Sequence, residues 1–354
     1  MRLIHCADLH LDSPLEANLS GARARERARE LRESFLRTVR YAADEGVQAI
    51  LIAGDLFDRA SVRGSTLKFF LDTLRAYPNI DFFYLSGNHD RDVCLSDGGE
   101  PPQNLYTFGD GWRQYDLGEV VITGSEAPNE DTLSLDRERC NLVLLHGQDR
   151  PGAGQREPDV IRLGALRGKG IDYLALGHIH SYRVLPLDER GVAVYSGCPE
   201  GRGFDECGEC GFVLLETEGR RVRYQFVPFA RRTLYTVEAD VSEVQTHAEL
   251  IHCAERAVEG ISESSLVKLV LTGMREDGLI LDVEGIEAML SERFYFGKVR
   301  DESKRLIRAE DFAHDATLRG AFVRRVLAAD MDEDLRERVI ACGLRALAGE
   351  ELGV

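Results

Sequence analysis

No stretch of this chain approaches the roughly 18 consecutive apolar residues that a membrane-spanning helix needs, so no membrane partner is expected. The opening MRLIHCADLH is not expected to be a secretion leader, because its short apolar run breaks at Asp8. A cytoplasmic protein is the expectation. Positive charge is scarce too: 44 Lys and Arg face 61 Asp and Glu, for a formal net charge of −17. That argues against a protein that grips nucleic acid by bulk charge, which needs a basic face. It does not exclude a nucleic-acid enzyme, since bound divalent metals or a partner subunit can bring the missing charge. Disulfide patterning is absent. The eight cysteines lie scattered, and a large chain without a secretion signal keeps its thiols reduced by default. Cys207 and Cys210 form a C-x-x-C with Cys198 nearby. Without a second paired half or an obvious fourth ligand, it is a weak zinc or redox signal. Internal repeats and low-complexity tracts are missing as well.

What is present is a set of five short apolar runs, each ending at a polar residue that can bind metal. LIHCA leads to Asp8 and His10, QAILIA to Asp55, and IDFFYL, through Ser86, to Asn88, His89 and Asp90. NLVLL leads to His146, and IDYLAL to His178 and His180. Buried strands read as short apolar runs bounded by turn residues. Open α/β sheets bind ligands beyond the carboxyl ends of their strands. Five strand ends thus deliver their donors to one rim.

The length of 354 residues predicts two or three domains, and 44% hydrophobic content is enough for a full core. Residues 1 to about 231 alternate strand-like runs with helical stretches. Arg23–Glu45 reads as a helix with Leu31, Phe35, Val39 and Ala42 on one face. Its ARARERARELRE portion is expected to be a solvated, salt-bridged face, with a phosphate-contacting helix as the sharper alternative. A second helix is expected over 64–76, and DGGEPP marks a loop between Arg91 and Asn104. VAVYS, GFVLLE and VRYQFVPF read as further strands. Residues 232–305 read as a compact α+β module: strand, helix from Glu243 to Val258, strand, helix from Val283 to Arg293, strand. Residues 306–354 read as a helical segment. Leu318, Phe322, Val326 and Leu327 mark one helix, and Leu335, Val339, Ile340, Leu344 and Leu347 mark another, with a turn at Met331 and Asp332.

Singly, these motifs discriminate poorly. A D-x-H triplet is common by chance, and a Gly-Asp pair is an ordinary turn. GNHD is more specific, because burying Asn-His-Asp is costly unless a polar centre needs it. Two imidazoles in i,i+2 spacing after Gly177 point to metal more than a lone histidine does. Together they are informative: five of the nine histidines fall in these motifs. No thiolate is offered, since Cys6 is expected to point into a strand instead of sitting at its end. Oxygen and imidazole donors without sulfur suit manganese, iron or zinc, with manganese favoured. Two Asp, one Asn and four or five His exceed what one ion needs, which implies two ions and in-line phosphoryl displacement. Arg59, Arg91 and Arg202 flank the motifs. They read equally as phosphodiester clamps and as paired surface arginines.

The order D-x-H, G-D-x-x-D, G-N-H-D, H-G, G-H-x-H over residues 1 to about 230 resembles the calcineurin-like metallophosphoesterase superfamily. RLIHCADLHLDSPL, AGDLFD and GCPEGRGFDE narrow the resemblance to SbcD-type DNA repair exonucleases, nearest the YhaO-like branch. The resemblance implies an α/β fold: a four-layer αββα sandwich followed by a small α+β capping domain and C-terminal helices.

It also implies roles. Asp8, His10, Asp55 and His180 would hold one ion, and Asp55, Asn88, His146 and His178 the other. His89 would stabilise the transition state or protonate the leaving 3′ oxygen. Asp58 and Asp90 would orient neighbouring histidines, or simply cap their own turns. The implied activity is a manganese-dependent DNA nuclease working with an SbcC-like coiled-coil ATPase. The two C-terminal helices are docking candidates for that partner, and packing against the chain's own capping domain is the plainer use for them. Related nucleases often form homodimers, and no dimer interface is legible here. Two further expectations compete: a phosphodiesterase or phosphatase for small nucleotides, and a scaffolding subunit for the ATPase. The capping module lacks a basic stripe, a departure that weighs against autonomous, tight DNA binding.

Overall fold

The computed structural model describes residues 1–13, 15, 19, 21–58, 62–150, 159–276, 279–306, 312, 315–347 and 349. It divides into two compact units, Met1–Leu234 and Tyr235–Val354.

In the first unit the elements run β1 (Arg2–Cys6), α1 (Gly21–Asp44), β2 (Ala49–Ala53), α2 (Gly64–Ala76), β3 (Asp81–Leu85), β4 (Leu105–Thr107), β5 (Arg113–Asp116), β6 (Val120–Gly124) and β7 (Cys140–His146). There follow β8 (Gln148–Asp149), β9 (Val160–Ile161), α3 (Leu163–Leu166), β10 (Tyr173–Gly177), β11 (Arg183–Pro186), β12 (Val192–Tyr195), β13 (Gly211–Glu218) and β14 (Arg221–Pro228). Twelve of these strands form two six-stranded sheets, ordered β14-β13-β1-β2-β3-β4 and β11-β12-β10-β7-β6-β5, and β8 pairs with β9. The ligand-bearing strands are parallel within each sheet: β1, β2 and β3 in one, β7 and β10 in the other. Antiparallel strands appear only towards the edges.

Side-chain alternation explains the layering. In β2, Ala49 and Leu51 pack with Phe83, Leu142, Leu144 and Ala175 between the two sheets. Ile50 and Ile52 turn the other way, onto Phe35 and Val39 of α1 and Phe70 and Leu74 of α2. On the far side of the second sheet, Val143, Leu174 and Leu176 pack on Leu163 and Leu166 of α3. Both faces of the central strands are covered, so they read as unbroken apolar runs. The result is the expected αββα sandwich.

Cys6 corrects one expectation. It is the last residue of β1, at the strand end, but its side chain joins Ile4 on the helix-facing side and is buried there. Sulfur is kept from the rim by the face of the strand it occupies.

The solvated helix face is a second correction. Arg29 and Glu33 do pair in the open, but Arg27 and Glu30 are each only 1% exposed. Arg27 Nη1 donates to Glu200 at 3.0 Å, its Nη2 donates to the Gly201 carbonyl at 2.7 Å, and Arg232 Nη2 donates to Glu30 at 2.8 Å. The charges are buried because each is matched by opposite charge from a distant segment.

The second unit begins along β15 (Leu234–Asp240). It continues with α4 (His247–Ala257), β16 (Leu266–Thr272), β17 (Met274–Glu276), α5 (Val283–Arg293), β18 (Phe296–Asp301), β19 (Lys304–Leu306), α6 (Leu318–Leu327) and α7 (Glu333–Leu347). The sheet β15-β16-β18 packs on α4 and α5, while α6 and α7 share a small core around Val323, Val326, Ile340 and Leu344. Helix α4 starts four residues later than Glu243. Thr246 and Glu249 form a reciprocal capping box there, fixing the start of the helix. No helix of the described residues is long and apolar enough to cross a membrane.

Candidate metal centre

Past the carboxyl ends of β1 and β2, two loops zip together. Asp8 N–H donates to the Gly54 carbonyl at 3.1 Å, His10 to Asp55 at 2.9 Å and Leu11 to Leu56 at 2.9 Å. These bonds hold Asp8, His10 and Asp55 at φ of 53°, 44° and 50°, and His178 after β10 stands at 95°. Left-handed backbone is uncommon outside glycine and persists only where the surroundings over-determine it. Glycines give the side chains room. A Cβ on Gly87 would fall 2.1 Å from Asp55 Oδ1, and one on Gly54 would fall 2.1 Å from His146 Nδ1.

The donors converge with their lone pairs inward. His146 Nδ1 donates to the Ala53 carbonyl at 2.9 Å, freeing Nε2, which lies 3.0 Å from Asn88 Oδ1 and 3.4 Å from Asp55 Oδ2. His10 Nδ1 faces Asp58 Oδ1 at 3.2 Å and leaves its Nε2 3.7 Å from Asp55 Oδ2. His180 Nδ1 faces Glu206 at 2.6 Å, and its Nε2 lies 3.3 Å from that of His10. His178 is turned the other way, with Nδ1 3.2 Å from Asn88 Oδ1, and its own N–H donates to both oxygens of Asp8 at 3.0 Å. Among the described residues, Asp8–His10–His180 and Asp8–Asp55–His146 each bring three donor atoms close enough for one ion. Asp55 stands between the two histidine sets.

The electrostatics ask for a cation. Burial, with the nearby Asp55 charge adding to it, pushes the Asp8 carboxyl up to about 6. Burial also pushes Asp55 up, but the His146 hydrogen bond and the charges of His146 and His10 outweigh it and hold Asp55 well below the usual range. His10 is lowered to about 4 by burial, so its ring is neutral and can coordinate. Burial lowers His146 as well, yet Asp55 and Asp8 carry it up to about 9. Two buried carboxylates facing histidine nitrogens, three of them on rings whose Nδ1 is tied back to an oxygen, are a donor set that a divalent ion fits.

The remaining predicted residues divide. His89 is exposed beside the rim. Its Nδ1 lies 3.0 Å from the Asp58 carbonyl, its ring edge meets His10, and its backbone N–H donates to Asp55 at 3.0 Å. Asp58 therefore touches two histidines, His10 through its carboxylate and His89 through its carbonyl. Of the two roles expected for Asp90 its contacts match the turn cap, since among the described residues its carboxylate reaches no histidine. Its carboxylate accepts from Phe57 N–H at 3.0 Å, Gly87 N–H at 2.7 Å and Tyr84 Oη at 2.8 Å, and so fixes the turn that carries Asn88 and His89. Arg91 is exposed and donates to the Glu126 carbonyl at 3.0 Å. Arg202 is not free to clamp a phosphodiester: its guanidinium donates to Glu206 at 2.7 Å and to Asp58 at 3.2 Å. Arg59 lies outside the described residues.

Glu206 is the site residue that the motifs did not single out. It is buried against His180 and Arg202. The only sequence signal was its place in GCPEGRGFDE.

A family model described as calcineurin-like phosphoesterase matches residues 1–182. The chain is 28% identical over 306 residues to the metallophosphoesterase YhaO of Bacillus subtilis, covering 79% of this chain and 74% of that protein. It is 26% identical over 244 residues to the DNA double-strand break repair protein Mre11 of Saccharolobus solfataricus, covering 60% of each. It is 30% identical over 181 residues to an SbcCD nuclease subunit of Rhodobacter capsulatus, covering 50% of this chain and 38% of that protein. The chain thus spans less than two thirds of the length of these last two relatives.

Proposed function

The chain belongs to the calcineurin-like phosphoesterase family, and from that premise we propose that it is a manganese-dependent DNA nuclease acting in repair beside an SbcC-like coiled-coil ATPase. The observation that carries the reading is the inward convergence of Asp8, His10, Asp55, Asn88, His146, His178 and His180, with Asp55 2% exposed between two histidine sets. In this reading Asp8, His10, Asp55 and His180 hold one ion, and Asp55, Asn88, His146 and His178 the other. Bound ions supply Lewis acidity toward a phosphoryl oxygen.

The chain's own residues do the rest. Asp58, through its carbonyl, accepts a hydrogen bond from His89 Nδ1; the doubly protonated ring then turns Nε2–H to the scissile bond, gives that proton to the leaving oxygen and is left neutral. Arg91 offers an exposed guanidinium for the adjoining phosphate. The loop zipped from Asp8 to Leu11 and the turn fixed by Asp90 keep these groups in register. The names of the Mre11 and SbcCD relatives, DNA double-strand break repair and nuclease subunit, support DNA as the substrate and a partnered assembly.

The net charge of −17 favours a second reading, a phosphodiesterase for small nucleotides. The discriminating experiment offers linear duplex DNA, single-stranded DNA and bis-p-nitrophenyl phosphate to the protein with Mn²⁺, with and without the ATPase. Degradation of DNA is the expected result. Cleavage of the small diester with DNA untouched in every arm would replace the first reading by the second.

A further inference from the structure

We propose that Glu206 is a positioning residue that decides which nitrogen of His180 is available to metal, and that it does so against Arg202. The inference rests on the two-metal reading.

The geometry is a three-way contact. Glu206 Oε1 lies 2.6 Å from His180 Nδ1 and accepts from Arg202 Nη2 at 2.7 Å, while Arg202 N–H donates to Oε2 at 2.6 Å. Glu206 is 3% exposed and His180 28%. Arg202 Nη2 is also 3.2 Å from His180 Nδ1. A guanidinium can only donate, whereas a carboxylate only accepts. With Glu206 in place, Nδ1 must carry the proton, and the bare Nε2 faces the rim, 3.3 Å from His10 Nε2. Without Glu206, the neighbouring donor is Arg202. It would donate to Nδ1 and drive the proton onto Nε2, the nitrogen that has to coordinate. Glu206 thus acts as more than one further hydrogen bond: it masks a cation placed to select the wrong tautomer. Outer partners of metal-binding histidines commonly carry about 10- to 100-fold in metal affinity.

The test is a Mn²⁺ titration of the full chain by calorimetry and electron paramagnetic resonance, with near-UV circular dichroism to confirm folding. Wild type is expected to bind two ions. Glu206→Ala is expected to weaken one ion by about 10- to 100-fold and leave the other in place. Glu206→Gln, which keeps the shape and drops the charge, is expected to weaken the same ion less; it carries the test if the alanine variant folds poorly. The second-site variant Glu206→Ala/Arg202→Met is expected to regain part of the lost affinity, because the donor that enforces the wrong tautomer is gone. A purely structural role for Glu206 predicts the opposite, a double variant worse than the single. Unchanged binding of both ions in Glu206→Ala and Glu206→Gln, or no recovery in the double variant, overturns the proposal alone. A wild type that binds fewer than two ions overturns the two-metal reading beneath it.

Discussion

His10 and His180 meet with their Nε2 atoms 3.3 Å apart and their ring centroids 5.1 Å apart. Each has its Nδ1 turned to a carboxylate, Asp58 or Glu206, so the two Nε2 atoms oppose one another across the gap. On the two-metal reading, a cation between them engages both. Mn²⁺ is therefore expected to raise the melting temperature of chelator-treated protein, by about 3 kcal/mol of stabilisation at a free concentration 100 times the dissociation constant. Scanning calorimetry with and without metal measures it. His10→Ala should lose most of the gain, and a wild type indifferent to Mn²⁺ would count against the centre.

His89 presents its ring at the rim close to His10 and Asp58, and the proposed function keeps it out of both metal shells. His89→Ala should keep both metals, measured by atomic emission on dialysed protein. Its turnover of bis-p-nitrophenyl phosphate should fall by about 10²- to 10⁴-fold, the usual weight of a general acid. Loss of metal from this variant would contradict the assignment.

Arg91 and Arg202 should part company in mutagenesis. Arg91→Ala removes an exposed cation and should raise KM while leaving kcat and the melting temperature close to wild type. Arg202→Ala leaves the buried Glu206 short of its partner and should cost about 3 kcal/mol of stability. Urea denaturation and steady-state kinetics on both variants separate the two roles.

Glu30 makes a pH-dependent contribution to stability. Burial pushes its carboxyl up, but hydrogen bonds from Arg232 and Arg27 and their charges outweigh burial, and the folded value lies below the ordinary 4.5. A depressed value means the contribution is complete above about pH 4.5 and disappears as pH falls through the folded value. Glu30→Gln should therefore be less stable than wild type at pH 7, by about 3 kcal/mol, and the gap should narrow as pH falls from 4.5 through the folded value. A gap of the same size at pH 7 and pH 3 would show that the charge is not what matters.

Asp8 sits at φ 53°, a region that costs a residue with a Cβ roughly 1–2 kcal/mol. Asp8→Gly and Asp8→Ala both remove the carboxylate, but only glycine relieves the backbone. In metal-free protein the glycine variant should be the more stable of the two by about 1 kcal/mol, measured by urea unfolding.

Much of the centre was legible because a parallel strand covered on both faces must be apolar along its length. AILIA and YLALG, buried throughout, point unmistakably at the polar residues that follow them. Edge strands such as β5 and β11 are mostly exposed, and their sequences RQYD and RVLP carry no such mark. The Arg27–Glu30 pair has the spacing of an open helix face. What buries it is Glu200, 173 residues away from Arg27, and no local pattern contains that. Glu206 was hidden for the same reason. Its partner His180 comes 26 residues earlier, with β11 and β12 between them, and a lone glutamate in the loop after β12 reads as surface. Adjacency to His89 left two roles open for Asp90, and its oxygens turn to backbone N–H groups and to Tyr84 Oη, as a turn cap does.

The donors come from two sheets: Asp8, His10, Asp55 and Asn88 follow β1, β2 and β3, while His146, His178 and His180 follow β7 and β10. Neither sheet owns a complete shell. The first of them, moreover, is finished only when β13 inserts antiparallel beside β1, and β13 is made after every donor. On the two-metal reading proposed above, metal capture is in this sense a closing event. A nascent or half-open chain shows only partial ligand sets, which bind weakly and exchange freely, and a tightly held pair of ions certifies that both sheets have met. Release of metal should accordingly track the parting of the sheets, making ion loss an early reporter of unfolding in this unit.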